Sequence, residues 1–222
     1  MPRGDGLVEV APHHYMLDPA HPLSKALVEA AQFTTSVSAP QTKIPRLYDV
    51  TSITESPALF KGVLHFLADR YRAMGAQGPT HVLAIETRGC ILGAPLALLL
   101  GLPFVPMRRD DITENAFVRD GGDAPPAQPI AVRHNSISAT SRVVIVDDFI
   151  SSGRTMDAAM DCAAVAGSTI VEAVAVCDMS ASGGVEHIRK EKHFRQISVV
   201  TLFRLRNNLD VLSYKRIIKS RM

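Results

Sequence analysis

The sequence predicts an α/β fold in which a mostly parallel central sheet is flanked by helices. Short, continuous apolar runs alternate with segments of helical periodicity along most of the chain, which is typical of a parallel sheet covered on both faces. The chain has 222 residues, of which 46% are hydrophobic and 21% are charged. This length and composition suffice for one domain with a sizeable core.

The first element of this alternation is a helix. Ser56 is a capping residue, and Pro57 takes the first helical position, where proline is best tolerated. Apolar side chains then recur at helical spacing over residues 60–74, and Gly75 ends the run.

The elements that follow complete the pattern, and the most strand-like run among them is 142–146. We predict strands at residues 81–85, 103–107, 142–146, 170–177 and 197–202, a return of order at 129–133, and helices at 91–100, 156–166 and 184–190.

The chain divides into three parts by composition. Residues 1–45 do not follow the alternation, and we expect a separate small lobe there with one helix near residues 23–32. Residues 46–206 form the core, and residues 207–222 form a basic C-terminal tail. Within the core, residues 109–128 hold charges, glycines and prolines without periodicity, which predicts a flexible loop of the kind that often serves as a lid.

Charge and cysteine content exclude several classes of protein. The 24 Lys and Arg residues and 22 Asp and Glu residues leave a net charge of +2, which gives no case for nucleic acid. No apolar run reaches the roughly 18 residues that a membrane span requires, and the N-terminus lacks a secretory signal core. Cys90, Cys162 and Cys177 match neither a disulfide framework nor zinc-ligand spacing, which suits a reducing compartment.

The segment at residues 142–155 contains the residue types of a ligand-binding site. The strand at 142–146 is followed by Asp147 and Asp148 and then by a small turn that opens a helix, with Ser151, Ser152, Gly153, Arg154 and Thr155. Backbone N–H groups in such a turn form an anion site. The two acids would repel a phosphate but suit ribose hydroxyls and hydrated Mg²⁺. The segment therefore predicts a site for a ribose 5-phosphate.

Other interpretations of this segment are open. Receiver domains also have a strand that ends in two acids, but near the chain start and without this continuation. A nucleotide-binding P-loop needs a Gly-Lys-Ser/Thr ending that is absent here. A purely structural strand, turn and helix is the remaining alternative, although adjacent acids after an apolar strand need a compensating role.

The segment VVIVDDFISSGRT (143–155) resembles the phosphoribosyl pyrophosphate (PRPP) motif of the type I phosphoribosyltransferases. Three further stretches are similar to those of the adenine phosphoribosyltransferases: PRLYDVTSIT (45–54), ETRGCILG (86–93) with LLGLP (99–103), and VPMRR (105–109). The resemblance implies the type I phosphoribosyltransferase fold. It also implies transfer of phosphoribosyl from PRPP to N9 of adenine, with Mg²⁺, to give AMP and pyrophosphate. Small-molecule substrates, without nucleic acid or membrane, and a homodimer are expected.

The resemblance also implies roles for individual residues. Asp147 and Asp148 would hold the ribose diol and the water shell of the metal, with Asp147 contacting the metal through water. Residues 151–155 would cradle the 5′-phosphate, and residues 1–45 would be a hood over the base.

Further roles concern the pyrophosphate and the base. Thr87, Arg88 and Gly89 would form the pyrophosphate loop, where the family often has a non-proline cis peptide. Arg108 would neutralise pyrophosphate, and the backbone of Arg46 would address the adenine edge. A structural ion pair is the alternative for Arg88, and a solvated charge is the alternative for Arg108.

The flexible loop of the family has an aromatic residue and a glutamate near its tip. The loop at 109–128 is shorter than the family's loop and contains no tyrosine. We predict that Glu114 takes the place of the glutamate of the family's loop. Arg154 also replaces the usual glycine of the turn at residues 151–155, which we call the phosphate turn. Other phosphoribosyltransferases accept a basic residue at this position. Three hypotheses follow: an active purine-salvage enzyme, an inactive or weak paralogue that binds AMP or PRPP or pairs with an active subunit, and a phosphoribosyltransferase for another base.

The last three residues, Ser220, Arg221 and Met222, resemble a variant of the Ser-Lys-Leu peroxisomal signal. They follow a basic extension that begins at Tyr214. We therefore expect location in a peroxisome-type microbody such as a glycosome, and in the cytoplasm if the signal is not read.

Overall fold

The computed structural model describes residues 6–35, 46–49, 51–109, 116–119, 129–190 and 193–205. In chain order the strands of this part are β1 (Leu7–Ala11), β2 (His14–Leu17), β3 (Gln32–Thr35), β4 (Arg46–Asp49), β5 (His81–Ile85), β6 (Phe104–Arg109), β7 (Ala116–Arg119), β8 (Ile130–Arg133), β9 (Arg142–Ile150), β10 (Thr169–Met179) and β11 (Ser198–Leu205). The helices are α1 (Pro22–Ala30), α2 (Thr51–Thr54), α3 (Pro57–Ala73), α4 (Arg88–Leu100), α5 (Arg154–Val165) and α6 (Gly184–Lys190), with short 3₁₀ turns at Gly75–Gln77 and Ser180–Ser182.

A nine-stranded sheet in the order β1-β2-β11-β10-β9-β5-β6-β8-β7 forms the centre of the molecule. All pairings from β2 to β6 in this order are parallel, and the pairings at the two edges are antiparallel. Strands β3 and β4 form a separate antiparallel pair. The structure thus confirms the predicted α/β fold with a mostly parallel sheet.

Both faces of the sheet are covered, as continuous apolar strands require. Helices α3 and α4 pack on one face, where Leu67 and Leu92 are fully buried or nearly so. Helices α5 and α6 pack on the other face, where Met160 and Ile188 are fully buried. Helix α3 begins as predicted, with the Ser56 hydroxyl accepting a hydrogen bond from the N–H of Leu59 at 3.4 Å.

The N-terminal residues differ from the separate lobe that we expected. Strand β2 pairs in parallel with β11, and β1 pairs with β2, so residues 7–17 extend the main sheet. These strands are only five and four residues long, which is too short for a clear periodic signal. Helix α1 matches the helix expected near residues 23–32, and its packing on α3 ties it to the core as well. A hood over a base remains a prediction.

Two further differences concern the middle of the chain. Strand β7 lies inside the segment 109–128 and pairs with β8, so that segment is not irregular throughout. Strand β9 continues through both aspartates to Ile150, because Asp147 and Phe149 pair with Ala175 and Cys177 of β10. Residues 110–115 and 120–128 and the tail at 207–222 lie outside the described residues. Among the described helices, none has the length and apolar character to cross a bilayer.

Candidate active site

Two acids mark the carboxyl end of β9, in the middle of the parallel part of the sheet. Asp147 and Asp148 are buried residues, with exposed fractions of 8% and 1%. The backbone N–H of Asp148 donates to Asp147 Oδ1 at 2.9 Å. Ligands of open α/β sheets bind at this edge, outside the carboxyl ends of the strands. The structure therefore places both predicted acids where a ligand would meet them.

The electrostatics of the pair favour a ligand. Burial raises the pKa of Asp147 well above its ordinary value, and the adjacent charge of Asp148 raises it further. Burial also raises the pKa of Asp148, while the guanidinium of Arg88 lowers it. Two neighbouring buried carboxylates are costly to keep charged. Hydroxyl donors or a cation bound beside them would reduce that cost.

Arg88 stabilises one acid of this pair. Its Nε lies 3.0 Å from Asp148 Oδ2, and its guanidinium carbon lies 4.6 Å from the centre of the Phe149 ring. Arg88 is the first residue of α4, which follows β5 after Glu86 and Thr87. The ion pair that we considered as a structural alternative is present, but its partner is a residue of the candidate site. Arg88 therefore belongs to the site through its side chain.

The turn between β9 and α5 depends on glycine. Gly153 has a φ of +82°, in the left-handed region, and α5 begins at the next residue, Arg154. A side chain at Gly153 would also collide with the backbone carbonyl of Gly184. No side chain fits at this position without displacing the turn. The backbone N–H groups of the turn and of the first residues of α5 are left to face an anion.

The predicted pyrophosphate loop adjoins the same strand end. The peptide bond between Glu86 and Thr87 is cis, as the family resemblance implied. A Cβ atom on Gly89 would lie 2.7 Å from the carbonyl oxygen of Val146 and 3.1 Å from Asp147 Oδ1. The close approach of α4 to β9 therefore requires glycine here, and it brings residues 87–89 beside the acids.

One pocket with a volume of about 130 Å³ connects these features. The predicted site residues that line it are Arg88, Asp147, Asp148, Ser151, Ser152, Gly153 and Thr155. The carboxylates and the hydroxyl-rich turn thus share one cavity.

Arg109 is a lining residue that sequence analysis did not single out. It faces this pocket, and its positive charge lowers the pKa of Asp147. Arg108 is exposed, its Nε lies 3.9 Å from Glu86 Oε1, and it borders a second cavity beside Phe104. Neighbouring side chains of a strand point to opposite faces, so the alternation along β6 was the available signal. A role of Arg108 toward pyrophosphate remains a prediction.

Two predicted residues cannot be placed by their side chains. Arg46 belongs to β4, whose backbone pairs with β3, but its side chain lies outside the described part. Glu114 also lies outside the described residues. Their proposed roles rest on the sequence.

The chain is similar to known phosphoribosyltransferases in sequence. The family model described as "Phosphoribosyl transferase domain" matches residues 49–202. The adenine phosphoribosyltransferase of Proteus mirabilis is 31% identical over 149 residues, which cover 64% of this chain and 77% of that protein. The corresponding values for the enzyme of Edwardsiella ictaluri are 34%, 142 residues, 61% and 73%.

Solved structures agree with the sequence relatives. The adenine phosphoribosyltransferase of Leishmania donovani superimposes with a TM-score of 0.79 at 31% identity, covering 89% of this chain and 86% of that one. The Trypanosoma brucei structure, in complex with AMP, pyrophosphate and ribose-5-phosphate, has a TM-score of 0.79 at 27% identity and covers 95% and 99% of the two chains. From the family match, the relatives and the geometry of the pocket, we conclude that this chain belongs to the phosphoribosyl transferase family and, within it, to the adenine phosphoribosyltransferases.

Proposed function

We propose that this chain transfers the phosphoribosyl group of PRPP to adenine, which yields AMP and pyrophosphate in purine salvage. The observation that carries the proposal is one pocket that joins an anion-binding turn to two buried carboxylates. The Trypanosoma brucei relative was solved with AMP, pyrophosphate and ribose-5-phosphate. The first two are the products of this reaction.

The reaction assigns a task to each group of residues. The bond from ribose C1 to the pyrophosphate oxygen breaks, the bond from C1 to adenine N9 forms, and the N9 proton leaves. Asp147 and Asp148 would accept hydrogen bonds from the ribose hydroxyls, and their negative charge would stabilise the positive charge that develops on the ribose ring. Arg108 and residues 87–89 would hold the departing pyrophosphate, and Arg109, which lines the pocket, would assist them. The turn at 151–155 would anchor the 5′-phosphate and so orient C1.

Mg²⁺ is the cofactor that we propose, and the residues present fit it. Mg²⁺ is usually bound through water, one or two carboxylates and substrate phosphates. Asp148 Oδ2 already pairs with Arg88 Nε at 3.0 Å, whereas Asp147 lines the pocket as a buried carboxyl group whose charge a hydrated cation would stabilise. Within the described ranges no group of three or more His, Cys, Asp or Glu would hold a metal alone. Asp147 would hold the hydrated ion, which neutralises charge on the departing pyrophosphate when it is bound.

The experiment compares three bases as acceptors. Product formation from PRPP and Mg²⁺ is measured with adenine, hypoxanthine or guanine, and each product is identified by chromatography. We expect AMP from adenine and little product from the two oxopurines. Preferred use of an oxopurine would contradict the proposed base and support the third hypothesis of another base.

A second candidate is a binding subunit without catalysis. It is favoured by one observation, the absence of tyrosine from residues 109–128. Loss of lid closure would admit water and weaken positioning of the reactants. Calorimetric binding of AMP without turnover of adenine and PRPP, alone or after mixing with an active relative, would support this candidate against the first.

A homodimer is also part of the proposal. On the outer face of α4, Leu98 is 83% exposed and Ile91 is also exposed. Exposed apolar side chains of this kind are typical of interaction surfaces when they cluster. Light scattering after size-exclusion chromatography should give a dimer for the wild-type chain and a monomer for Leu98→Glu. A monomeric wild-type chain would contradict this part of the proposal.

We further propose location in a peroxisome-type microbody. The support is the C-terminal sequence Ser220-Arg221-Met222 after a basic extension. A fluorescent protein fused to the N-terminus of the full chain should enter microbodies, and the same fusion without the last three residues should remain in the cytoplasm. Identical distributions of the two fusions would refute the signal.

A further inference from the structure

A second turn lies against the phosphate turn in the structure. This second turn, residues 180–184, runs from the end of β10 into the first residue of α6, and we call it the rear turn. A Cβ atom on Gly153 would collide with the carbonyl of Gly184, and a Cβ atom on Gly184 would collide with the carbonyl of Ser151. The two turns therefore touch through their backbones, at positions where only glycine fits.

The turns are also joined by side chains. The hydroxyl of Ser151, which lines the pocket, donates to Ser182 Oγ at 3.2 Å across 31 positions of sequence. Ser182 is exposed and does not line the pocket. A hydroxyl carries one donor and can accept as well. The direction of this hydrogen bond can therefore reverse.

The position of the rear turn does not depend on the phosphate turn alone. Asp178, near the end of β10, accepts a hydrogen bond from Arg204 Nε at 2.7 Å, and this residue is 2% exposed. The hydroxyl of Ser180 donates to the carbonyl of Leu205 at 3.0 Å. The first bond joins the end of β10 to β11, and the second ties the rear turn itself to the end of β11. The turn that contains Ser182 is thus bonded to the sheet through Ser180, and Ser182 lies next to a hydroxyl of the pocket.

We propose that Ser182 is a positioning residue for the 5′-phosphate and acts through Ser151. With a phosphate in the turn, the Ser151 hydroxyl donates to the phosphate and accepts from the Ser182 hydroxyl. A chain of two hydroxyls that ends on an anion is strengthened by mutual polarisation. Ser182 fixes the Ser151 rotamer without contacting the ligand. This inference rests on the proposed function, because it needs the phosphate in the turn at 151–155.

The expected effect is on binding and not on chemistry. Loss of one neutral hydrogen bond weakens binding by about 3- to 10-fold. Ser182→Ala should therefore raise the KM for PRPP and the Kd for AMP by about that factor and leave kcat unchanged. Ser182→Thr retains the hydroxyl and should restore both values. Binding of pyrophosphate, which lacks the 5′-phosphate, should not change.

The test is a double-mutant cycle on the full chain, with AMP binding measured by calorimetry. Because Ser182 acts through Ser151, Ser182→Ala should have no further effect in a Ser151→Ala background. Ser138→Ala is the matched control, since the Ser138 and Thr140 hydroxyls form a similar exposed pair 3.0 Å apart outside the pocket. This control should bind AMP like the wild-type chain.

Several results would overturn the inference. They are an unchanged Kd in Ser182→Ala, independent and additive effects of the two substitutions, or an equal loss of pyrophosphate binding. Each of these leaves the proposed function intact if the wild-type chain binds AMP. A wild-type chain that binds neither AMP nor ribose 5-phosphate would overturn the proposed function and this inference together.

Discussion

The buried carboxylate of Glu172 in β10 anchors helix α3 to the sheet, and its removal is the perturbation we develop first. Glu172 Oε2 lies 2.6 Å from Arg70 Nη2, and Glu172 Oε1 accepts from the Tyr71 hydroxyl at 2.9 Å. The side chains of the ion pair are only 8% and 1% exposed. Breaking a buried ion pair leaves an uncompensated charge and typically costs about 3–5 kcal/mol. We expect this loss in Glu172→Ala.

The same helix offers a matched control. Arg72 Nη1 lies 2.9 Å from Asp69 Oδ1, but these side chains are 49% and 71% exposed. Exposed pairs contribute less than about 1 kcal/mol. In a chain of this size, about 1 kcal/mol shifts the Tm by roughly 2–4 °C. Circular dichroism should therefore show a fall in Tm on the order of 10 °C for Glu172→Ala and of at most about 4 °C for Asp69→Ala.

The charge that Arg70 retains in Glu172→Ala leads to a further expected result. If the uncompensated charge of Arg70 is the main cause, Arg70→Met combined with Glu172→Leu should recover most of the lost Tm. Equal Tm changes in Glu172→Ala and Asp69→Ala would refute the reasoning. So would a double variant that is less stable than Glu172→Ala.

Four further substitutions have expected results, at His14, Gly153, Glu114 and Arg109. Burial lowers the pKa of His14 to about 4, below its unfolded value of about 6.5. The unfolded chain therefore binds more protons between these values, and stability should fall as the pH drops from 6.5 toward 4, by at most about 1.4 kcal/mol per pH unit from this group; urea titrations of wild type and His14→Gln should show a flatter dependence in the variant. Gly153→Ala should abolish AMP binding in calorimetry, because its Cβ collides with the rear turn; wild-type affinity would contradict the geometry. Glu114→Ala should lower kcat by about 10²- to 10⁴-fold if this residue is the loop acid, and an unchanged kcat would exclude it. Arg109→Ala should raise the KM for PRPP more than Arg108→Ala does, and the reverse order in steady-state assays would contradict the assignment of Arg109 to the pocket.

The elements that sequence predicted well have strong local signals. Helix α3 has a capping serine, a proline at its start and regular apolar spacing, and it begins where those residues place it. Strand β5 matches the predicted residues 81–85, because a buried central strand is continuously apolar. The phosphate turn was identified because hydroxyls, glycine and two acids are contiguous along the chain.

The features that sequence missed depend on distant contacts. Strand β2 is four residues long and is stabilised by pairing with β11, more than 180 positions away. The pairing of Arg70 with Glu172 spans 102 positions. The requirement for glycine at position 184 could not be predicted, because it arises from a contact with the carbonyl of Ser151, in the turn that follows β9. Such requirements become visible only when the sheet order is known.

The sequence predicted the acids and the hydroxyl groups of the site, but not which arginine of β6 lines the pocket. The acids and the hydroxyls of the turn do share one pocket. Arg109 lines the pocket of the acids and Arg108 borders another cavity, because the two side chains occupy opposite faces of β6. That assignment needs the strand to be recognised through residue 109, whereas the sequence predicted a strand that ended at residue 107.

Phosphorus NMR of one reaction mixture tests the central claim most directly. The chain of 222 residues is incubated with PRPP, Mg²⁺ and adenine, and the phosphorus signals of all products are integrated over time. The account predicts that AMP and pyrophosphate appear in equal amounts, and that Asp147→Asn and Asp148→Asn greatly slow both. Pyrophosphate with free ribose 5-phosphate, or no consumption of PRPP by a chain shown to be folded, would contradict the claim that this pocket transfers phosphoribosyl to adenine.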